Sequence, residues 1–471
     1  MSEKSRLLKN TGLIAVGNFG AKMISFILLP LYTSILTTSE YGTYDYIVAI
    51  SAFLLPIITL SIHEAMFRFI IDAKKEDKLK EIISNAFIIV LLGIASVSFI
   101  ILVLKFLFPN IQNLFYIFLY VTTNALYVFS NNILRGQGKI KEYTIISSSK
   151  NILQLILNAL SVAVFRFGMK GLLFSSIIAE IIPFLVILFV FKIYKQIAFR
   201  MVSRNVLRPM LKYSIPLIPN SLGAQIINIS DRLVISSVLG TSANGIYSVS
   251  YKFPNVIETV YHFFYMAWSE SASIVFSKGK EEANKYYKSL HELINNFIFS
   301  VILILIAGMP LLFRIFINGD YVQGIVYVPI LLIAMYLNCI AKFYSGLFTA
   351  LKQTKILAMS TSIAAIVNLA INIIFIRKIG LYAAAISTLI SEIVLVILRY
   401  KFIYKKFDLK INYKKILIEL FMIITIFILF DYNNYFKILS SIIIAVIYAI
   451  VVNKDIIKLA IEKIIKKFKK I

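Results

Sequence analysis

Charged side chains inside long apolar segments are the residues of this sequence best placed to do chemistry. An ionisable group in the hydrocarbon region costs about 2.5 to 3.5 kcal/mol on insertion scales, so it usually faces a bundle interior or a water-filled cavity. Lys22 lies about 16 Å along its apolar segment, beyond easy reach of either surface. We therefore predict that Lys22 binds an anionic group, with a buried structural ion pair as the alternative.

Polar residues form stripes at helical spacing on three of the apolar segments. Asn18, Lys22 and Ser25 share one face of the first, and a later segment carries the corresponding stripe. The residues predicted to bind substrate are Lys22, Arg232, Lys252, Asn18, Ser25, Gln225, Asn228, Asn255 and Arg68. Their cationic groups suit an anionic group, whose hydration must be replaced inside a membrane.

Carboxylates within the apolar segments form a second class of candidates. They are possible proton or sodium sites, and they are equally able to be simple counter-charges. Glu64 and Arg68 are four residues apart and can pair on one helix. The candidates for ion coupling are Asp231, Glu64, Glu180, Glu258, Glu270 and Glu392.

The sequence predicts no metal, cofactor or nucleotide site. His63, His262 and His291 have no metal-ligand spacing, and no phosphate-binding glycine loop is present. With 59% hydrophobic residues, the chain is too apolar for a soluble protein, so its net charge of +26 is assigned to loops flanking the membrane and not to a nucleic-acid surface.

The elements that must position these residues are membrane-spanning helices. Apolar runs of roughly 20 residues, long enough to cross about 30 Å of hydrocarbon, recur along the chain. The predicted fold class is an all-α polytopic membrane protein with about fourteen transmembrane helices, at 11–35, 43–70, 82–107, 113–133, 142–165, 171–194, 212–239, 245–275, 290–316, 323–350, 355–376, 380–403, 414–430 and 435–452.

Basic residues predict the orientation. Alternating loops hold 36 of the 49 lysines and arginines on the side of both termini and 7 on the other side. By the positive-inside rule, both termini are cytoplasmic and the turn at Tyr41 and Gly42 faces outward. The first apolar run is about 25 residues long without a small-residue cleavage site, so we interpret it as a retained helix.

The sequence repeats itself at an offset of 203 residues. Gly20 matches Gly223, Gly42 matches Gly245 and Tyr44 matches Tyr247, while Glu180 matches Glu392 at an offset of 212. Six helices per copy make a parallel repeat of two pseudo-symmetric lobes. The predicted domains are an N-lobe at 1–204, a C-lobe at 205–410, and two peripheral helices with a basic cytoplasmic tail at 411–471.

The segment 10–46 resembles the oligosaccharide flippase (Wzx-type polysaccharide transporter) family. The motif TSEYGTY at 38–44, its echo TSANGIY at 241–247, and LRGQGK at 134–139 carry the resemblance. The resemblance implies the fold of the multidrug, oligosaccharidyl-lipid and polysaccharide exporter superfamily. The related lipid II flippases rely on several arginines in their first two helices, where this chain offers only Lys22 and Arg68.

The resemblance implies a flippase that moves undecaprenyl-pyrophosphate-linked oligosaccharide units from the cytoplasmic to the outer leaflet of a bacterial inner membrane. Membrane lipids, a polysaccharide polymerase and a chain-length regulator are the implied partners, in an O-antigen, capsule or other polymer pathway. A cation-coupled multidrug exporter is one alternative, although Lys22 carries the wrong sign for its substrate. A membrane-bound glycan polymerase or acyltransferase is the other, and it would need a catalytic site that the short outer loops do not offer.

Overall fold

The chain folds into a succession of α-helices, as a computed structural model shows. The structure describes residues 26–73, 75–109, 113–277, 279–351, 353–404, 406–409, 412–454 and 457–458, with no side-chain description for 220, 223–228 and 354. In these ranges the helices are α1 Leu29–Ile35, α2 Thr38–Ile58, α3 Ile62–Asp72, α4 Glu76–Leu107, α5 Leu114–Gly136, α6 Ile140–Ala159, α7 Gly168–Val190, α8 Arg204–Ser214, α9 Leu217–Val238, α10 Thr241–Ser277, α11 Lys280–Phe316, α12 Val328–Ala350, α13 Thr354–Ile379, α14 Leu381–Tyr404, α15 Tyr413–Leu429 and α16 Tyr435–Val452.

The predicted fold class is confirmed: the chain is an all-helical, multi-pass membrane protein. Each of the fourteen predicted spans overlaps a helix in the described ranges. Nine helices of that part of the chain are long and apolar enough to cross a membrane by themselves. Residues 11–25 of the first predicted span lie outside the described residues.

The predicted outward turn at Tyr41 and Gly42 is wrong in its local structure, because both residues are helical. Thr37 caps α2 with a capping box, in which its side chain accepts from the Glu40 backbone and Glu40 accepts from the Thr37 backbone. This cap satisfies the exposed amide groups and starts the helix five residues before the predicted span at 43.

Two predicted spans are interrupted. The span 43–70 divides into α2 and α3 at Leu60 and Ser61, whose φ angles are 49° and 50°. Pro56, four residues before this break, removes one backbone donor from the end of α2. The span 212–239 likewise divides into α8 and α9 just before Pro216.

The helices form two compact units, Met1–Ser248 and Val249–Ile471. In the first, Ile83, Ile133 and Phe129 are buried among side chains of α3, α4 and α5. In the second, Trp268 stacks on Phe343 with ring centroids 4.4 Å apart, and its indole donates to the Phe343 carbonyl. Also in the second unit, α15 and α16 pack against α11. The predicted domain boundaries at 204 and 410 remain a prediction.

Candidate functional site

The two repeated motifs meet face to face within the first unit. The Thr38 hydroxyl lies 2.6 Å from that of Ser242, and the Ser39 hydroxyl lies 2.9 Å from that of Thr241. At the offset of 203, each of these hydrogen bonds is the symmetry mate of the other. The N-terminal turns of α2 and α10 are therefore joined about a local twofold axis.

Glycines permit this approach. A Cβ at Gly42 would overlap the Thr241 carbonyl oxygen, and a Cβ at Gly245 would overlap the Thr38 carbonyl oxygen. The offset of 203 relates these two contacts to each other, because Gly42 corresponds to Gly245 and Thr38 to Thr241. Gly42 is conformationally ordinary within its helix, so it serves the close approach of two backbones and not a turn. We call this contact, formed by 38–42 and 241–245, the motif interlock.

A buried ion pair lies next to the motif interlock. Arg232 Nε is 2.7 Å from Asp45 Oδ2, with side chains 18% and 15% exposed. The Ser248 hydroxyl donates to the same carboxylate oxygen at 2.6 Å. On the neighbouring position of α9, Asp231 accepts a hydrogen bond from the Tyr247 hydroxyl at 2.8 Å. Arg232, a predicted substrate residue, is therefore held by a carboxylate of its own unit.

A second polar cluster of the first unit centres on Glu180, which is 1% exposed. Its Oε1 accepts from the Asn124 amide at 2.7 Å and lies 3.3 Å from Lys150 Nζ. Its Oε2 accepts from the Thr123 hydroxyl at 3.1 Å. Lys150 also lies 5.2 Å from the centre of the Tyr127 ring. Both carboxylate oxygens thus have donors, and the charge has a counter-charge.

The second unit holds the repeat-related carboxylate, Glu392, which is 7% exposed. Its Oε1 accepts from the Asn338 amide at 2.9 Å, as Glu180 does from Asn124. Lys342 lies one turn after Asn338, but its Nζ donates to Glu258 at 2.8 Å instead.

Arg399, on the same helix as Glu392, is 6% exposed and bonds only to neutral oxygens among the described residues. Its guanidinium donates to the Ala341 carbonyl and to the hydroxyls of Ser345, Ser360 and Thr361 at 2.7 to 3.2 Å. Arg399 therefore ties α12, α13 and α14 together.

The remaining predicted residues are dispersed. Arg68 pairs at 2.7 Å with Asp72, not with the predicted Glu64, and both members of that pair are largely exposed. Glu64 lies 3.8 Å from His63, and Glu270 is exposed on α10. Lys252 and Asn255 are partly buried on α10. Asn18, Lys22 and Ser25, with the side chains of Gln225 and Asn228, lie outside the described residues.

Sequence reasoning missed four residues that organise these clusters: Asp45, Asn124, Asn338 and Arg399. Asn124 and Asn338 are 214 residues apart, close to the offset of 212 that relates Glu180 to Glu392. Applying the repeat to the helices before each glutamate would have found both amides. Asp45 directly follows the repeated Tyr44 but matches Ser248 at the offset of 203. The repeat therefore gives no reason to single out Asp45.

Comparison with solved structures defines the class of fold. A lipid II flippase, solved in an inward closed conformation, matches 95% of this chain and 99% of its own, with 18% identity and a TM-score of 0.69. A multidrug transporter of the MOP superfamily matches 82% and 98% with 14% identity and a TM-score of 0.61. A MOP superfamily transporter from Pyrococcus furiosus, whose binding pocket is described as having reverse polarity, matches 84% and 96% with 14% identity and a TM-score of 0.54. The chain thus shares its fold with the lipid II flippase and with these transporters.

The family is shown by sequence. The polysaccharide biosynthesis protein family matches residues 7–269, more than half of the chain, and the chain belongs to that family. An uncharacterised membrane protein of Methanocaldococcus jannaschii is 23% identical over 412 residues, covering 82% of this chain and 95% of that protein. The flippase-family resemblance found in the repeated motifs is confirmed by the family match together with the fold.

Proposed function

We propose that the chain is a flippase that carries undecaprenyl-diphosphate-linked oligosaccharide from the cytoplasmic to the outer leaflet of the inner membrane, with both termini cytoplasmic. The observation that carries the proposal is the match of residues 7–269 to a polysaccharide biosynthesis family in a chain with a MOP superfamily fold. A protein of that fold supplies a polysaccharide pathway by moving its intermediates and catalyses no covalent step.

The membrane potential supports the export of an anionic substrate. Moving an anion outward across a membrane that is negative inside is favoured by about 2.3 kcal/mol per charge per 100 mV. The membrane potential therefore drives export of a diphosphate headgroup in the required direction.

We assign the diphosphate to Lys22. An ammonium group replaces part of the hydration of a phosphate by charge-assisted hydrogen bonds. For Arg232 the geometry favours a bracing role, because its guanidinium already lies 2.7 Å from Asp45.

Mass spectrometry of lipid-linked glycans in a deletion strain tests the function. The deletion should accumulate an undecaprenyl-diphosphate-linked unit with its sugar facing the cytoplasm, and the wild-type chain should relieve the accumulation. Lys22→Ala should fail to relieve it at normal membrane abundance, while Lys22→Arg should retain part of the activity. Full export by an abundant Lys22→Ala protein would eliminate Lys22 as the diphosphate site.

Cysteine labelling tests the orientation. Cys339 is buried, so a chain with Cys339→Ser offers a background for single exposed cysteines at Ser39 and Ser277. A membrane-impermeant maleimide added outside the cell should label Ser39→Cys and not Ser277→Cys. The reverse pattern would place the termini outside and overturn the proposed direction of transport.

A further inference from the structure

Glu392 and Asn338 each have a buried oxygen atom with no hydrogen-bond donor in the described part of the second unit. Asn338 donates its amide to Glu392 Oε1 at 2.9 Å, while Glu392 Oε2 and Asn338 Oδ1 have no partner among the described residues. Each is a strong acceptor with less than 1 Å² of its surface accessible to solvent. A buried acceptor without a donor costs about 1 to 3 kcal/mol, and more when it is charged.

One proton on Glu392 satisfies both atoms. A protonated carboxyl has one O–H donor, and the Asn338 amide oxygen accepts it while the amide nitrogen donates to the other carboxyl oxygen. Protonation thus supplies the donor that the Asn338 oxygen lacks, beside the amide hydrogen bond already present at 2.9 Å. From this geometry we infer that Glu392 and Asn338 form a proton-binding site, and that proton binding there is coupled to lipid translocation. The coupling rests on the proposed flippase function.

The charges of Lys342 and Arg399 act on Glu392 from nearby, but in the described part of the chain neither cation forms an ion pair or a hydrogen bond with its carboxyl group. Lys342 is committed to Glu258, and Arg399 is committed to hydroxyls and a carbonyl. On α13, which packs against the helix of Glu392, the charged residues lie at the helix ends, at Lys355, Arg377 and Lys378. A proton therefore costs less here than a buried, unpaired negative charge.

The related glutamate of the first unit has the donors that a charged carboxylate needs in this fold. Glu180 has the same asparagine contact, but Lys150 and Thr123 supply the further donors that an ionised carboxylate needs. The repeat has thus placed two similar carboxyls in environments that favour opposite protonation states, as enzymes do when two acids take different roles. Glu392 is the one able to take up and release a proton.

A route for the proton lies beside the pair. The Glu258 and Lys342 side chains are 31% and 24% exposed, and Lys342 shares a helical face with Asn338. When Glu392 releases its proton, its carboxylate competes with Glu258 for the Lys342 ammonium. Exchange of Lys342 between the two carboxylates would change how α10 and α12 are held together, which is the step that links protonation to movement.

Flipping assays in proteoliposomes test the coupling. The probe is a fluorescent undecaprenyl-diphosphate-linked N-acetylglucosamine, measured at a membrane potential clamped to zero. One coupled proton changes the equilibrium ratio of probe between leaflets by a factor of about 10 per unit of pH gradient. We expect this dependence in the wild type and in Glu281→Gln, an exposed carboxyl on α11, and we expect it to be lost in Glu392→Gln.

Infrared difference spectra of the purified full-length protein give a readout that does not depend on transport. We expect a carbonyl band of a protonated carboxyl at neutral pH in the wild type and its loss in Glu392→Gln. A carbonyl band of the protonated carboxyl in a protein that shows no flipping would refute the flippase function but support the proton-binding site. Three results would overturn the inference. The first is a ratio of probe between leaflets that does not change with the pH gradient, and the second is a carbonyl band that persists in Glu392→Gln. The third is a ratio that depends on a sodium gradient, with a potassium gradient as the control.

Discussion

The two repeat-related glutamates should respond in opposite ways to the same isosteric change. Replacing Glu180 by glutamine removes the negative charge that lies 3.3 Å from Lys150 while keeping the shape and the Asn124 contact. At an effective dielectric constant of 20, that attraction is about 5 kcal/mol before desolvation is counted. The loss leaves a lysine side chain that is only 15% exposed without a counter-charge.

Breaking a buried ion pair by removing one partner costs about 3 to 5 kcal/mol. The cation–π contact of Lys150 Nζ with the Tyr127 ring, 5.2 Å away, offsets about 0.5 to 1 kcal/mol of this loss. We therefore expect Glu180→Gln to lower the stability of the protein by about 2 to 4 kcal/mol. A second change, Lys150→Met, should restore most of the loss, because it removes the stranded charge.

Glu392→Gln should change stability by less than about 1 kcal/mol at neutral pH. A glutamine carbonyl accepts from the Asn338 amide, and its own amide donates to the Asn338 oxygen that otherwise has no partner in the described part of the chain. Thermal unfolding in detergent, followed by loss of monodisperse protein, measures both variants side by side. Equal losses in the two variants, or no rescue of Glu180→Gln by Lys150→Met, would refute the assignment of opposite charge states.

Two further predictions concern the first unit. Gly42→Ala and Gly245→Ala should each lower folded yield and glycan export, because a Cβ at either position overlaps a backbone carbonyl. Gly308→Ala is the control and should be tolerated, because Gly308 has open space around it. Equal export by all three variants would show that the motif interlock accommodates a Cβ without loss of function. Asp45→Asn should lower membrane abundance because it leaves Arg232 without its counter-charge, and the double variant Asp45→Asn with Arg232→Met should recover it. Immunoblots and export assays measure both variants. Failure of the double variant to recover would argue that Arg232 binds substrate directly.

The sequence was sufficient for the fold class because membrane-spanning helices leave a direct signal, a run of about 20 apolar residues. Helix starts were harder to predict, since the capping box at Thr37 and Glu40 lies in polar sequence that hydropathy assigns to a loop. For the same reason the predicted span 290–316 is shorter than α11, which begins at the polar residue Lys280, ten residues earlier.

Partners of buried charges could not be predicted from spacing on a single helix. Asp45 meets Arg232 across 187 positions of sequence, and Lys342 meets Glu258 across 84. Such pairs depend on which helices pack together and at what height, and hydropathy reports neither. The partial repeat at an offset of 212 was the one sequence feature that related the two buried glutamates before any contact was known.

The motif interlock has a property that separates it from the rest of the polar contacts. Its hydroxyl pairs and its glycine contacts each occur twice, with the roles of the two copies exchanged, as happens at the surface between identical subunits of a twofold dimer. The hydrogen bond from the Asn244 amide to the Gly42 carbonyl occurs once, because the position equivalent to Asn244 holds Tyr41. Two separate six-helix chains bearing this motif could make the same contact unchanged, so the duplication that joined them needed no new surface here. The Asp45 and Arg232 pair has no such mirror, because the equivalent positions hold Ser248 and Leu29. The hydroxyl and glycine contacts of the motif interlock therefore keep the twofold symmetry of the repeat, and the adjoining ion pair departs from it.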